Sequence, residues 1–281
     1  MTTTAPPTPR REPLSARLSR SWPWRCARRF IGITGYDRAL GLAAQAFIAA
    51  IPTVIVVSAV TGGPTSSVAD RIIDRFELSG STADLVRQAF QPPDDTTTTV
   101  WSACLLVVSG IGFTRALQRS FRAAWGIRPT PGWRGWIGGM ASALALAAAV
   151  VAGVAIASLS DFDGAGPVRF VLRAFILGAL WLLAIRLLLG WRLPWRPFLP
   201  GAVIIGIGTS AIWLASAIWL PRAFISQAET YGLIGIFIVL ISWLILLALL
   251  LVGAAVVSAE LWLSRAAPPR PADDAGVVDA P

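Results

Sequence analysis

The ionisable and nucleophilic side chains of this 281-residue sequence are too scattered to form a catalytic set. The sequence contains no histidine, which removes the commonest metal ligand and general base of proteins. Cys26 and Cys104 do not have the spacing of a metal site or a disulfide framework. Gly201, Gly206 and Gly208 fit neither a phosphate-binding loop nor a dinucleotide-binding loop. We therefore expect no catalytic residue, no bound metal, no cofactor and no enzymatic activity.

One acidic residue, Glu260, stands near the end of an apolar tract that begins at Tyr231. On a helix it shares a sector of about 80°, which we expect to face other helices, with Gly232, Gly235, Val239, Ser242 and Gly253. Glu260 would lie roughly 42 Å from Gly232. A hydrocarbon core is only about 30 Å thick. We therefore expect Glu260 beyond the cytoplasmic boundary, paired with an inner-loop arginine rather than buried.

Several other positions interrupt the apolar tracts. Gln45 is either a hydrogen-bonding contact between helices or part of a cavity lining. Pro52 is predicted to kink its helix without ending it, because neighbouring groups can satisfy the freed carbonyl. Tyr231 fits an anchor at the outer membrane surface. Gly232 and Gly235 allow another helix or a ligand to approach the backbone, and close packing is the favoured interpretation.

Three arginines, Arg115, Arg119 and Arg122, fall at i, i+4 and i+7 on one face of a helix that extends the second apolar tract. This face is predicted to contact anionic lipid headgroups at the cytoplasmic membrane surface. An RNA-binding patch is the alternative reading of the same charges. We favour the lipid contact and expect no nucleic-acid partner.

The composition indicates a membrane protein. Hydrophobic residues make up 55% of the chain and charged residues 14%, against about 25% charged in soluble domains. Backbone groups in lipid must be satisfied internally, so long apolar tracts are predicted to be helices. The predicted fold is all-α, a polytopic bundle of six transmembrane helices, with spans at about 39–60, 100–117, 136–159, 168–189, 199–220 and 231–261.

The charges of the connecting segments predict the topology. Arginine dominates residues 1–38, 115–135 and 186–197, whereas loop 61–99 has an acidic excess. The positive-inside rule therefore predicts cytoplasmic amino and carboxyl termini. The predicted domains are a disordered Arg/Pro-rich cytoplasmic arm (1–38), a transmembrane domain (39–264) and a disordered cytoplasmic tail (265–281). The expected location is the bacterial cytoplasmic (inner) membrane, with multiple passes.

Two packing features complete the prediction. Loop 61–99 is amphipathic and is expected to form a lid on the outer side of the bundle, with a partner-binding surface as the alternative. Ala202, Gly206 and Ser210 recur at every fourth residue of the fifth span, which predicts close helix packing.

Five short segments, in order along the chain, resemble the YihY/virulence factor BrkB family of bacterial inner-membrane proteins. They are Ala43-Ala-Gln-Ala-Phe47 with Ile51-Pro52, Ala116-Leu-Gln-Arg-Ser-Phe-Arg-Ala-Ala-Trp125-Gly126, Phe198-Leu-Pro-Gly201-Ala202, Tyr231-Gly-Leu-Ile-Gly235 and Leu251-Val-Gly-Ala254 followed by Ala259-Glu-Leu261. The sequence departs from the family at Ala255, where the family usually has an acidic residue. The resemblance implies six spans and cytoplasmic termini. It also implies that the old ribonuclease label is a misassignment, with envelope integrity, serum resistance or transport as suggested roles.

The favoured function is therefore that of a non-enzymatic inner-membrane protein, either a transporter of lipid or small solutes or an envelope-integrity factor. A membrane-bound ribonuclease is the disfavoured alternative, and a membrane scaffold for envelope proteins is a third. The expected partner is the lipid bilayer, and homo-oligomerisation is left open.

Overall fold

A computed structural model describes residues 21–61, 96–127, 166–189 and 194–266, and isolated residues between 70 and 87. The described residues are mostly α-helical, and short turns at Ile33–Thr34 and Gly232 join two of the helix pairs. The helices are α1 (Trp22–Gly32), α2 (Gly35–Thr61), α3 (Thr96–Trp125), α4 (Gly166–Leu189), α5 (Leu199–Tyr231) and α6 (Leu233–Ala266), with a 3-10 turn at Arg196–Phe198 before α5. The third predicted span, residues 136–159, lies outside the described residues. So do residues 1–20, most of loop 61–99 and the tail beyond residue 266.

The prediction of an all-helical fold is confirmed for the described part of the chain. Three stretches of helix, Phe170–Leu189, Arg196–Tyr231 and Ile234–Arg265, are long and apolar enough to cross a membrane. The first two predicted spans also lie within long helices, α2 with 27 residues and α3 with 30 residues. The six-helix count and the cytoplasmic termini stay predictions.

The predicted disordered arm is wrong for residues 22–32, which form helix α1. Pro23 stands in the first turn, where a missing backbone N–H costs nothing. Cys26 and Phe30 recur four residues apart and pack against the hydrophobic core. The arm was assigned from its arginine and proline content, and that composition conceals an apolar face with helical spacing.

The helix of the fifth predicted span extends beyond its predicted end at residue 220. α5 continues through Pro221 to Tyr231, and Gly232 alone forms the turn into α6. Segment 221–230 carries charged residues that resemble a loop, yet Phe224 and Ala228 are buried against the beginning of α6. This packing carries the helix past the end of the apolar tract.

A small hydrophobic cluster surrounds that turn. Ile73 and Ala83, from the loop that follows α2, join Phe224 and Ile236 in it. The contacts of Ile73 and Ala83 fit the predicted lid at these two positions.

Helix α6 contacts α1, α2, α3 and α5, and α4 packs mainly against α5. A Cβ atom at Gly206 of α5 would overlap backbone atoms of Ala174 and Gly178 in α4. Close packing of the small-residue stripe is thereby confirmed at its central position. On the opposite side of α5, Gly201 lies against Ser258 of α6, and the Ser258 hydroxyl donates a 2.8 Å hydrogen bond to the Pro197 carbonyl.

Pro52 is buried in α2, and the helix runs through it to Thr61. The prediction that this proline does not end the helix is confirmed. One turn of the helix is reinforced locally, because the Thr53 hydroxyl donates a 2.6 Å hydrogen bond to the Ala49 carbonyl. The main hydrophobic core lies away from this proline, near the carboxyl end of α6, where Phe121, Phe198 and Val252 are fully buried.

Candidate functional site

Glu260 forms an ionic cluster with the amino-terminal helix. Its Oε1 lies 2.6 Å from Nη2 of Arg25, and its Oε2 lies 3.2 Å from Nη1 of Arg29. Glu260 is only 6% exposed, and it is the one buried charged residue in the described part of the chain. Each carboxylate oxygen therefore has its own arginine, an arrangement that offsets the cost of burying the charge. We call these three residues the Glu260 cluster.

Helix spacing brings the two arginines to one carboxylate. Arg25 and Arg29 lie four residues apart, so they share a face of α1. On the same side of α1, Cys26 and Phe30 pack against the hydrophobic core. α1 is thus bound to the bundle by apolar contacts and by charge.

A tight turn joins α1 to α2 and fixes the angle of approach. Thr34 adopts a positive φ of 52°, which is uncommon for residues other than glycine. The Phe30 ring lies against Gly35, where a Cβ atom would overlap it. Arg38 Nε donates a 2.6 Å hydrogen bond to the Ile33 carbonyl inside the turn. Together these contacts hold the carboxyl end of α1 over the beginning of α2.

Arginines also bind the last turns of α3. Arg29 Nε donates a 2.8 Å hydrogen bond to the Ala124 carbonyl, and Arg38 Nη1 donates a 3.4 Å hydrogen bond to the Arg119 carbonyl. The Ala124 carbonyl is among the last four of α3, which lack helical partners and carry partial negative charge, so a cation is favourable there. Arg29 therefore links three helices, because it joins α1 to both α3 and Glu260 of α6.

The Cys26 thiol adjoins this cluster. Burial raises its pKa above the ordinary value, and the negative charge of Glu260 raises the pKa further, while Arg25 and Arg29 act in the opposite direction. A protonated thiol is a poor nucleophile. The structure therefore places Cys26 as a packed core residue.

The expectations for Glu260 are half correct. The residue does bind arginine, but the arginines belong to the amino-terminal arm rather than to an inner loop. The expectation that Glu260 is not a buried charge is wrong, because α1 covers it. The i, i+4 spacing of Arg25 and Arg29 was the sequence signal for this pairing. It was missed because the arm was treated as disordered.

The predicted lipid-binding arginines lie on α3, outside the Glu260 cluster. Arg115 and Arg119 are exposed, and Arg122 is half-buried. The prediction that they belong to a helix extending the second span is confirmed. Their contact with anionic headgroups stays a prediction.

Gln45 lies between helices α2 and α3. Its amide oxygen faces Gly112 so closely that a Cβ atom there would overlap it. This position favours the helix-contact interpretation over the cavity-lining one. Gly235 plays a similar role at the turn between α5 and α6, where a Cβ atom would overlap the Gln227 carbonyl. Tyr231 itself is exposed at the end of α5.

The predicted bundle-facing sector of α6 is wrong at two positions. Ser242 is exposed and donates its hydroxyl to the Ile238 carbonyl of its own helix. No atom of the described residues lies within 4 Å of a Cβ atom placed at Gly253. The helix is contacted from several directions, so its buried face is wider and differently centred than a stripe of small and polar residues indicates.

Sequence reasoning overlooked Arg173, a charged residue within the apolar stretch of α4. Its guanidinium lies 4.9 Å from the ring centroid of Trp213, a cation–π distance. Trp213 in turn makes an edge-to-face contact of 5.5 Å with Trp243. Charged residues within membrane spans are expensive and usually functional, so the position of Arg173 in an apolar stretch is the sequence signal for it.

Comparison with known proteins identifies the family. No curated protein and no solved structure matches the chain. The model of one family, described as virulence factor BrkB, matches residues 27–277. The match begins within α1 and includes the whole Glu260 cluster except Arg25. The apolar helices and this match agree in indicating a membrane protein, and the chain belongs to the virulence factor BrkB family.

Proposed function

We propose that this protein is a non-enzymatic, multi-pass protein of the bacterial inner membrane that transports a lipid or a small solute. The Glu260 cluster is the observation that carries the proposal. It joins the first described helix to the last one at a single end of the bundle. A short helix held by charge pairs across a bundle end is suited to opening and closing that end.

The energetics favour such a two-state element. α1 has eleven residues and none of them is fully buried. Helices this short are marginal on their own in water. Its attachment therefore depends on a few contacts, among which the two arginine–carboxylate pairs are the most polar. Their loss would release α1 without dismantling the transmembrane helices.

A shallow, open groove on the surface between α5 and α6 has the apolar lining that a lipid-like substrate requires. Its volume is about 370 Å³, and its lining includes Ala215, Trp219 and Trp243. Ser216 also lines the groove, but its hydroxyl donates a hydrogen bond to the Trp213 carbonyl of its own helix. The lining is therefore apolar. An amphiphile with an apolar chain suits this groove better than a sugar or an ion does.

Reconstitution tests the proposal directly. The full chain in proteoliposomes is expected to move a fluorescent lipid analogue or a member of a small-solute panel. Glu260→Gln is expected to raise the flux, because it weakens closure of the bundle end. Glu229→Gln, an exposed carboxylate near the end of α5, is the matched control and should behave like the parent protein. No flux by the parent chain across the panel would refute transport, and equal flux by Glu260→Gln would refute the gate.

The proposed topology has its own test. A periplasmic reporter fused after Asp95 is expected to be active, and one fused after Gly132 is expected to be inactive. This follows from the arginine excess in segment 115–135 and the acidic excess in loop 61–99. The reverse pattern would place the Glu260 cluster on the periplasmic side.

A scaffold for envelope integrity is the second candidate, and the α5–α6 turn favours it. Tyr231 and Ile234 are both more than half exposed there. Apolar side chains at a helical tip offer a surface for another protein. A photocrosslinker at position 234 that captures one envelope protein reproducibly would support this role. The absence of any reproducible product would exclude it at this surface.

A further inference from the structure

α1 has a second face that the bundle does not use. At about 100° per residue, Trp24, Ala27 and Ile31 fall within a sector of about 60°. This sector lies opposite the face that carries Cys26 and Arg29. Trp24 is 49% exposed and Ile31 is 73% exposed. An 11-residue helix thus presents one apolar face to the core and another to its surroundings.

The outward face is flanked by charge. Arg28 is exposed beside the Trp24–Ala27–Ile31 sector, and acidic residues are absent from α1. Tryptophan and isoleucine bordered by arginine are typical of helices that lie in the surface of an anionic membrane. A water-facing helix would not gain from two large exposed apolar side chains.

Other tryptophans are exposed near the same end of the bundle. Trp262 lies half a turn beyond Glu260 on α6 and is 38% exposed. Trp195 is exposed just before α5, whose first turns contact the carboxyl part of α6 through Gly201 and Ser258. Tryptophan is enriched where lipid headgroups meet hydrocarbon. Trp24, Trp195 and Trp262 are therefore exposed beside segments that contact the end of the bundle containing the Glu260 cluster.

We propose that α1 is a membrane-surface helix whose Trp24–Ala27–Ile31 face inserts into an anionic lipid leaflet. Arg28 pairs with lipid phosphate, and the opposite face is fixed to the bundle by Glu260. Helices of this kind bury their apolar face about 5–10 Å into the boundary between headgroups and acyl chains. The occupant is a lipid surface because charge, exposed tryptophans and the adjacent membrane-crossing helices all agree. The choice of the cytoplasmic leaflet rests on the proposed topology, whereas the insertion itself does not.

The experiment measures the depth of single positions on α1. Nitroxide labels are attached at Trp24→Cys, Ile31→Cys or Arg28→Cys in the full chain with both native cysteines replaced by serine. The protein is placed in nanodiscs of phosphatidylcholine with or without phosphatidylglycerol. Collision rates with oxygen, which partitions into lipid, are compared with those of a water-soluble nickel complex. The ratio of the oxygen collision rate to the nickel collision rate is expected to be several-fold higher at positions 24 and 31 than at position 28. Phosphatidylglycerol should increase the difference.

Each other outcome overturns the proposal. High nickel accessibility at all three positions means that the outward face meets water. Low accessibility to both reagents means that protein covers it, and dipolar broadening between labels would identify a second copy of the chain. Size-exclusion elution and the unfolding midpoint of each variant show whether it is folded. The result depends neither on transport nor on orientation in the membrane, so failure of this inference and failure of the proposed function are distinguishable.

Discussion

Neutralising Glu260 is the sharpest perturbation that the structure offers. Glu260→Gln keeps the side-chain volume and one acceptor oxygen, but it removes the charge that faces Arg25 and Arg29. The two arginines then remain side by side without a counter-ion. A double-mutant cycle with Arg29→Gln isolates the pair energy, and a parallel cycle with Arg25→Gln provides the internal comparison.

Distance and burial rank the two pairs differently. Arg25 is closer to the carboxylate, at 2.6 Å against 3.2 Å for Arg29. However, the Arg25 side chain is 40% exposed and that of Arg29 is 23% exposed. Solvent screens the exposed pair, and Arg29 is also held by the Ala124 carbonyl. We expect a coupling energy of about 1–2 kcal/mol for Arg29 and less than about 1 kcal/mol for Arg25.

The total loss should fall below the value for a fully buried pair. Removing one partner of such a pair costs about 3–5 kcal/mol. Here both arginines can turn toward water, and glutamine still accepts one hydrogen bond, so Glu260→Gln should cost about 1–3 kcal/mol. The free energy of unfolding is measured by titration with a denaturing detergent, with Glu229→Gln as the control. Coupling energies near zero for both arginines would refute the reasoning, because the cluster would then be solvated and α1 loosely attached.

Three further results are expected. With Cys104 replaced by serine, Cys26 should react slowly with maleimide. Glu260→Gln should lower the pKa of the Cys26 thiol and so shift the pH profile of the reaction to lower pH. An unshifted midpoint with a faster plateau would indicate release of α1 instead. Gly206→Ala should destabilise the protein by roughly 1–3 kcal/mol in the same detergent titration, because backbone atoms of α4 must move. Gly253→Ala is the control and should cost nothing, because the added methyl group meets no atom of the described residues. Equal losses of unfolding free energy in the two variants would contradict the packing. Gly232→Ala should cost about 1–3 kcal/mol because its φ of 59° and ψ of −136° suit glycine, and an unchanged unfolding energy would mean that the turn can adopt another geometry.

The sequence predicted the apolar helices well because their physics is local. A long apolar tract must satisfy its backbone internally, whatever surrounds it. The small-residue stripe through Gly206 was equally readable, since a residue without a Cβ atom permits close backbone approach wherever helices cross. The prediction that helix α2 continues through Pro52 is also confirmed.

The errors concern segments that other segments stabilise. Residues 22–32 and 221–231 are polar enough to resemble an arm and a loop. Each becomes helical where it meets apolar or charged partners far away in sequence. Helix propensity alone is a weak guide in such segments, because tertiary contacts supply most of the stability of a short helix. The pairing of Glu260 with Arg29 is not evident from local sequence, because 231 residues separate the two.

Ala255, the position at which the resemblance implies an acidic residue, lies in the main hydrophobic core of this fold. Ala255 is 1% exposed within the main hydrophobic core, among side chains such as Leu117 and Val252. A carboxylate at that position would need an arginine within the bundle, and the two arginines of α1 are already bound to Glu260. The ionic contact of this chain lies five residues, or about 7.5 Å, further along α6. It is therefore at the end of the bundle, where the amino-terminal helix α1 can reach it.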